Sequence, residues 1–103
     1  MAEASQQPIF YVVFFEIDYP SLGAALADAA DTIGAHQQRA QAWHAQGQLV
    51  MAGAFRDTPD GRLNAMGVLT SREAAEAFAT GDPFVLNGKV RTWYIREWNN
   101  MLV

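Results

Sequence analysis

The segment that most restricts the fold is Ile9–Ile17, which has the sequence IFYVVFFEI. β-Branched and aromatic residues predominate in it, and it begins just after Pro8, so it predicts a β-strand. Odd-numbered and even-numbered positions are both almost entirely apolar, and in a strand these two sets point to opposite faces. The fold therefore has to cover both faces of the sheet that contains this strand.

The next part of the chain predicts a helix. Ile33, Ala40 and Trp43 fall near one stripe at helical spacing, and His36 lies on or near it. Gly47 is a natural residue to end a helix. We expect this helix over residues 33–46, preceded at residues 22–30 by an alanine-rich stretch that forms either a short helix or an ordered loop.

The middle of the chain predicts a hairpin. Residues 48–55 and 63–69 have the composition of strands, and the Pro59-Asp60-Gly61 turn signal lies between them. Strict alternation places Leu49, Met51 and Gly53 on one face of the first strand and Val50, Ala52 and Ala54 on the other.

A second helix and a last strand complete the chain. Thr70 and Glu73 have the spacing of a capping box, which places Thr70 at the N-cap of a helix that continues to about Thr80. Asp82 precedes Pro83 and is therefore biased away from helical backbone. Residues 89–98 form the final strand, with Val90, Thr92 and Tyr94 on one face and Trp93 and Ile95 on the other.

The order β-α-β-β-α-β predicts an α+β fold of the ferredoxin-like class, a four-stranded antiparallel sheet with two helices on one face. No element is left in the chain to cover the other face, although that face is apolar too. Burying one Phe or Leu side chain gains about 1.5–3 kcal/mol, and a large exposed apolar patch normally marks an interface. We therefore expect a homodimer in which two copies pack sheet against sheet.

Composition excludes several classes of function. The 103 residues suit one domain, residues 1–103, with a flexible tail expected at residues 1–8. A net charge of −4 disfavours nucleic acid as a partner, and the absence of cysteine excludes disulfides and thiolate metal sites. No apolar run approaches the roughly 20 residues of a membrane helix, and the first residues lack a secretion pattern. We expect a cytoplasmic protein that does not bind membranes.

Motifs for nucleophilic catalysis, phosphate binding and dinucleotide binding are missing from the sequence, so no cofactor is expected. His36 and His44 are separated by about 12 Å of rise along one helix and cannot share a metal ion, so no metal is expected either. A site built from one histidine and carboxylates elsewhere in the chain stays open as the alternative. General acid–base chemistry remains. Histidine is the natural proton carrier near neutral pH, and Asp82, in the break after the second helix, is the candidate carboxylate.

Several short motifs with consistent spacing cover nearly the whole chain from Ile9 to Trp98. They are Ala35-His36, Trp43-His44-Ala45-Gln46-Gly47-Gln48-Leu49, Ala52-Gly53 and Asp82-Pro83-Phe84. Together they resemble the YciI-like (YCII-related) family. The resemblance implies a ferredoxin-like protomer of the dimeric α/β-barrel superfamily. It also implies an active site formed by a helix His and the Asp of the Asp-Pro-aromatic motif, which here are His36 and Asp82.

The chemistry implied by this resemblance is proton transfer that leads to elimination or isomerisation, as in related barrels that act on ring-derived lactones and phenols. We therefore expect a cofactor-independent lyase or isomerase, and the substrate expected is a small cyclic or aromatic-derived acid. Two positions depart from the family pattern. Ile33 stands where Arg is common, and Ala54 stands where Pro often follows the Ala-Gly pair. The first departure weakens the expectation of an anion-binding group.

Four further residues are candidates for substrate binding. Tyr11 and Tyr94 have polar tips, Phe84 could form a wall of the cleft, and Arg96 could hold an anion. Structural roles are the alternatives for the principal residues: His36 bonded to a backbone carbonyl, Asp82 as a helix N-cap, and His44 as a favourable charge at a helix C-terminus.

Two other functions stay open. The same cleft could bind a small ligand without catalysis. The chain could also be a purely structural dimer, and this alternative predicts that no polar cleft exists.

Overall fold

The segment Ile9–Ile17 forms an inner strand of the sheet in the structure, a computed structural model that describes residues 8–102. The elements in chain order are β1 (Ile9–Ile17), α1 (Leu22–Ala45), β2 (Leu49–Ala54), β3 (Leu63–Leu69), α2 (Arg72–Thr80), α3 (Pro83–Leu86) and β4 (Val90–Asn99). The tail predicted for residues 1–8 lies outside the described residues except for Pro8, whose carbonyl accepts a hydrogen bond from the Asn100 N–H.

The four strands form one sheet in the order β2-β3-β1-β4, and every neighbouring pair is antiparallel. The helices pack on one face, where Val13 and Phe15 of β1 meet Ile33 of α1 and Phe78 of α2 in a common core. The predicted α+β ferredoxin-like fold is thus confirmed.

Helix α1 is longer than the sequence predicted. It begins after Ser21, whose side-chain oxygen accepts a hydrogen bond from the Ala24 N–H, and continues to Ala45. The alanine-rich stretch is helical because alanine has the highest helix propensity. A kink at Ala29 (φ −138°, ψ 45°) separates this first part from the helix predicted at residues 33–46. His36 accordingly lies in the middle of α1.

Helix α2 begins one residue later than predicted. Its N-cap is Ser71, with extended backbone (φ −148°), and the Ser71 hydroxyl accepts a hydrogen bond from the Ala74 N–H at 3.0 Å. The assignment of Thr70 as the cap was wrong, because Ser and Thr can both fill this position and stand side by side. Helix α2 buries one stripe of side chains: Ala74, Ala75, Phe78 and Ala79.

Two register shifts change the faces predicted for β2 and β4. An extra residue in β2 between Leu49 and Met51 places Leu49, Ala52 and Ala54 on the helix side. In β4 the partners of Glu16 and Ile17 are Thr92 and Val90, so Val90 packs on the core with Trp93 and Ile95 rather than sharing a face with Thr92 and Tyr94. Strict alternation fails at both points because one inserted residue reverses every face beyond it.

The face of the sheet away from the helices, called here the open face, is apolar as the sequence predicted. Phe14 of β1 stacks on Tyr94 of β4 with ring centroids 5.2 Å apart. Tyr94 and Trp98 are each 50% exposed, and Met51 is 58% exposed. Among residues 8–102 no helix packs on this face.

Candidate functional site

His36 and Asp82 lie side by side although 45 residues separate them in the sequence. The middle of α1 presents the imidazole, and the N-cap of α3 presents the carboxylate. Nδ1 of His36 and Oδ1 of Asp82 are 2.5 Å apart. The second oxygen, Oδ2, accepts a hydrogen bond from the Phe84 N–H at 2.9 Å. One carboxylate therefore caps a helix and binds the histidine at the same time.

Burial differs sharply between the two partners. Asp82 is only 2% exposed, whereas the His36 side chain is 28% exposed. A buried carboxylate is costly unless its oxygens are hydrogen-bonded, and both are. An ionised carboxylate can only accept, so Nδ1 of His36 donates the proton of this bond. The second ring nitrogen, Nε2, is thereby left for a ligand.

Arg39, one turn beyond His36 on α1, ties α1 to the C-terminal part of α2, which leads into Asp82. Its guanidinium donates hydrogen bonds to the carbonyls of Phe78 at 2.8 Å and Ala77 at 2.9 Å, near the C-terminus of α2. The same group lies over the rings of Trp43 and Phe78. Burial lowers the pKa of the Arg39 guanidinium, and the negative charge of Asp82 opposes this shift. The charge of Arg39 is thus directed at the end of α2 and at Asp82.

Gly81 makes room for this arginine. A Cβ atom at position 81 would lie 2.5 Å from Nη2 of Arg39 and 3.3 Å from the Ala77 carbonyl oxygen. Any larger residue would displace the guanidinium. Sequence reasoning missed the role of Arg39; the only sequence signal was its spacing of three residues from His36.

A cavity of about 430 Å³ lies beside His36, between α1 and the β2–β3 hairpin. Its floor is made of small side chains, Ala52 and Ala54 of β2 and Ala65 of β3. The space exists because these alanines leave a gap that larger residues would fill. Its other lining residues are Ile17, Leu22, Ala25, Ile33, His36, Gln37, Ala40, Gln41, Gly53, Leu63 and Phe84.

The other predicted site residues are divided between distant places. Phe84 lines the cavity, with its ring centroid 6.3 Å from that of His36. Tyr11 is on the helix side of β1 but six residues from Ile17, about 20 Å along the strand, and it lies under the guanidinium of Arg72. Tyr94 and Arg96 lie on the open face, so the sheet separates them from the cavity.

His44 has a structural contact. Its Nδ1 donates to the carbonyl oxygen of Leu49 at 2.7 Å, which ties the end of α1 to the start of β2. In the described part of the chain, no group of three or more His, Cys, Asp or Glu residues is placed to hold a metal ion. No helix within residues 8–102 is both long enough and apolar enough to cross a membrane.

Two solved structures align with this chain. The 5-chloro-2-hydroxyhydroquinone dehydrochlorinase TftG from Burkholderia phenoliruptrix AC1100, in complex with 2,5-dihydroxybenzoquinone, aligns with a TM-score of 0.58 and 18% identity over 87% of this chain and 94% of its own. SnoaB, a cofactor-independent oxygenase from Streptomyces nogalater, aligns with a TM-score of 0.48 and 16% identity over 92% and 94% of the two chains. At 18% identity the likeness to TftG is one of fold.

Comparison by sequence is more specific. No curated protein matches the chain significantly. The family model of the YCII-related domain matches residues 10–99, which is most of the chain. The protein therefore belongs to the YCII-related domain family.

Proposed function

We propose that the protein is a small-molecule enzyme in which His36 transfers a proton and Asp82 holds it in position. The single observation that carries this proposal is the 2.5 Å contact between the two side chains at the wall of a 430 Å³ cavity. A histidine oriented by a buried carboxylate is a common arrangement for general acid–base catalysis. The exposure of His36 gives a bound molecule access to the ring.

The reaction proposed is elimination or isomerisation of a small cyclic or aromatic-derived compound. Nε2 of His36 removes a proton from a carbon next to a carbonyl group, and the electrons of the broken C–H bond form a new carbon–carbon double bond. In an elimination, a leaving group departs with its bonding electrons. In an isomerisation, the imidazolium returns the proton to another carbon. Asp82 stabilises the imidazolium that forms between the two steps.

Ligand binding without catalysis is the second candidate, since the same cavity would serve it. The purely structural alternative is less well supported, because it predicted no polar cleft, and His36 lines a cavity instead. Phe84 is proposed as a wall of the binding site. Tyr11, Tyr94 and Arg96 are left out of the proposal because of their positions.

The experiment that tests catalysis measures proton abstraction directly. Small cyclic ketones and lactones are incubated with the protein in D2O, and deuterium incorporation next to the carbonyl is followed by NMR. We expect acceleration by the wild type and a loss of about 100-fold or more in His36→Gln and Asp82→Asn, the range associated with general acid–base groups.

The matched control is His44→Gln, which removes the other histidine of α1 and should leave the exchange rate unchanged. Binding of a compound without acceleration of exchange would favour the non-catalytic alternative. Wild-type rates in both site variants would overturn the role proposed for the pair.

We also propose that the protein acts as a homodimer in which the open faces of two copies cover each other. The support is the row of half-exposed aromatic side chains on that face, Tyr94 and Trp98 among them. In a twofold dimer the same patch meets itself, so the apolar side chains of one copy would cover those of the other. Analytical ultracentrifugation should give twice the 11.3 kDa of one chain. A monomer mass at micromolar concentration would contradict the dimer.

A further inference from the structure

We infer that the cavity beside His36 selects an uncharged ring compound, and that the side-chain amides of Gln37 and Gln41 recognise its hydroxyl or carbonyl groups. The inference rests on the proposed function, because it assigns a ligand class to the same cavity. It differs from the acidic substrate expected in the sequence analysis.

The first observation is the charge of the lining. None of the described residues that line the cavity is Asp, Glu, Lys or Arg. Ile33, which is 8% exposed, stands one turn before His36 and contributes an apolar surface there. A carboxylate bound in this space would find no fixed positive side chain, and transfer of an unpaired charge out of water is strongly unfavourable.

The second observation concerns the charges just behind the lining. Asp82 is bonded to His36, so the pair has no net charge when the imidazole is protonated and one negative charge when it is neutral. Arg39 lies beyond this pair and already directs two nitrogens at the carbonyls of Ala77 and Phe78. The pair itself therefore offers no net positive charge in either protonation state, and Arg39 does not line the cavity, so neither gives an acidic ligand a direct cationic contact.

The third observation is a pair of amides at the rim. Gln37 and Gln41 are one helical turn apart on α1 and both line the cavity. Neither amide forms a side-chain hydrogen bond to another residue within 8–102. Each carries one acceptor and two donor hydrogens, so the two together can bind either a hydroxyl or a carbonyl group.

The size of the cavity limits the ligand further. About 430 Å³ lies near the lower end of the range for small-molecule sites, roughly 300–1,000 Å³, and suits a molecule of one or two rings. The lining is mostly apolar, with Leu63 and Phe84 against the ring. Polar groups at one edge of such a ring would reach His36 and the two glutamines together.

The test uses three probes of equal size and different charge: 4-hydroxybenzamide, 4-hydroxybenzoate and 4-hydroxybenzamidine. Each is titrated into the nitrogen-15-labelled protein, and dissociation constants are taken from the amide signals of residues that line the cavity. We expect the amide to bind at least about fivefold more tightly than either charged probe, because only the neutral group is desolvated without an unpaired charge. Equal or tighter binding of a charged probe, or no shift at the cavity with the amide, would overturn the inference.

A pair of variants sharpens the result. Gln37→Arg places a cation at the rim, and Gln38→Arg adds the same charge at the next exposed position, which does not line the cavity. We expect Gln37→Arg to strengthen 4-hydroxybenzoate binding about fivefold to tenfold and Gln38→Arg to change it less than twofold. Equal effects of the two variants would mean that general charge, rather than the cavity, controls binding.

These measurements need no turnover, so they separate the ligand class from the catalytic role. A preference for the amide together with normal proton exchange in His36→Gln would retain the ligand class and remove the proposed catalyst. The reverse pattern would retain the catalyst and overturn the ligand class.

Discussion

Both faces of the sheet carry large apolar side chains, but these side chains are buried on one face and half exposed on the other. On the helix face, Phe15 and Phe78 are 3% and 1% exposed. On the open face, Tyr94 and Trp98 remain half exposed. An apolar pattern in a strand therefore shows that a face must be covered, but not by what. The chain's own helices cover the first face, and they leave a cavity there because the facing residues of β2 and β3 are small.

The largest effect on stability is expected on the helix face of the sheet. Phe78 packs against Phe15 and Trp43, with ring centroids 6.2 and 5.5 Å apart. Replacing it in Phe78→Ala should lower the free energy of unfolding by about 3–5 kcal/mol, the usual cost of removing a buried aromatic ring. Urea denaturation measures the change. A loss below about 1 kcal/mol would show that this core tolerates a large void.

A smaller loss is expected from Gly81→Ala on the same side. The added methyl group forces Arg39 away from the Ala77 and Phe78 carbonyls, and breaking such charged hydrogen bonds costs about 1–3 kcal/mol. Proton exchange should also slow, since Arg39 no longer holds the end of α2 that leads into Asp82. Unchanged stability and unchanged exchange would show that the Arg39 contact is dispensable.

The open face should respond differently. Trp98→Ala should change the stability of the isolated protomer by no more than about 1 kcal/mol, because half of this side chain is already exposed. It should nevertheless weaken the dimer at least about tenfold, as removal of an interface tryptophan typically does. Sedimentation at several concentrations measures this. If Trp98→Ala unfolded the protomer as severely as Phe78→Ala, the two faces would not differ as proposed.

The smallest expected effect has the opposite sign. Gly34 lies inside α1, and a Cβ atom there would meet nothing within 4 Å. Gly34→Ala should therefore raise the free energy of unfolding by roughly 0.5–1 kcal/mol, through the lower conformational entropy of the unfolded chain. Thermal unfolding of the two proteins in parallel checks the sign and serves as the control for Gly81→Ala.

Part of the candidate site could be predicted from the sequence. Asp82 was placed by its position before Pro83, and the same local geometry makes it an N-cap in the structure. His36 was placed by helical spacing and by resemblance. The proximity of the two follows from how α1 packs near α3, which no local pattern encodes. Arg39 was overlooked because its partners are backbone carbonyls of α2. Every residue has such a carbonyl, so the sequence does not show which of them a side chain will bind.

The substrate-binding candidates on β4 show what local chemistry cannot place. Tyr94 and Arg96 have suitable chemistry, but they lie on the open face because β4 pairs with β1 in a register that points them away from the helices. A bulge in β4 also moved Val90 to the core. Side-chain chemistry can be read locally, whereas the face that it occupies depends on a register set over the whole sheet.

The sequence alone determined the order of the elements, the sheet that they form and the need to cover both of its faces, because these follow from local propensities and from the alternation of apolar residues. Only the tertiary structure decided that His36 meets Asp82, that Arg39 binds the end of α2 next to them and that three alanines leave a cavity beside the histidine. Such features arise from contacts between residues far apart in the chain, and their geometry depends on the packing of every element between them.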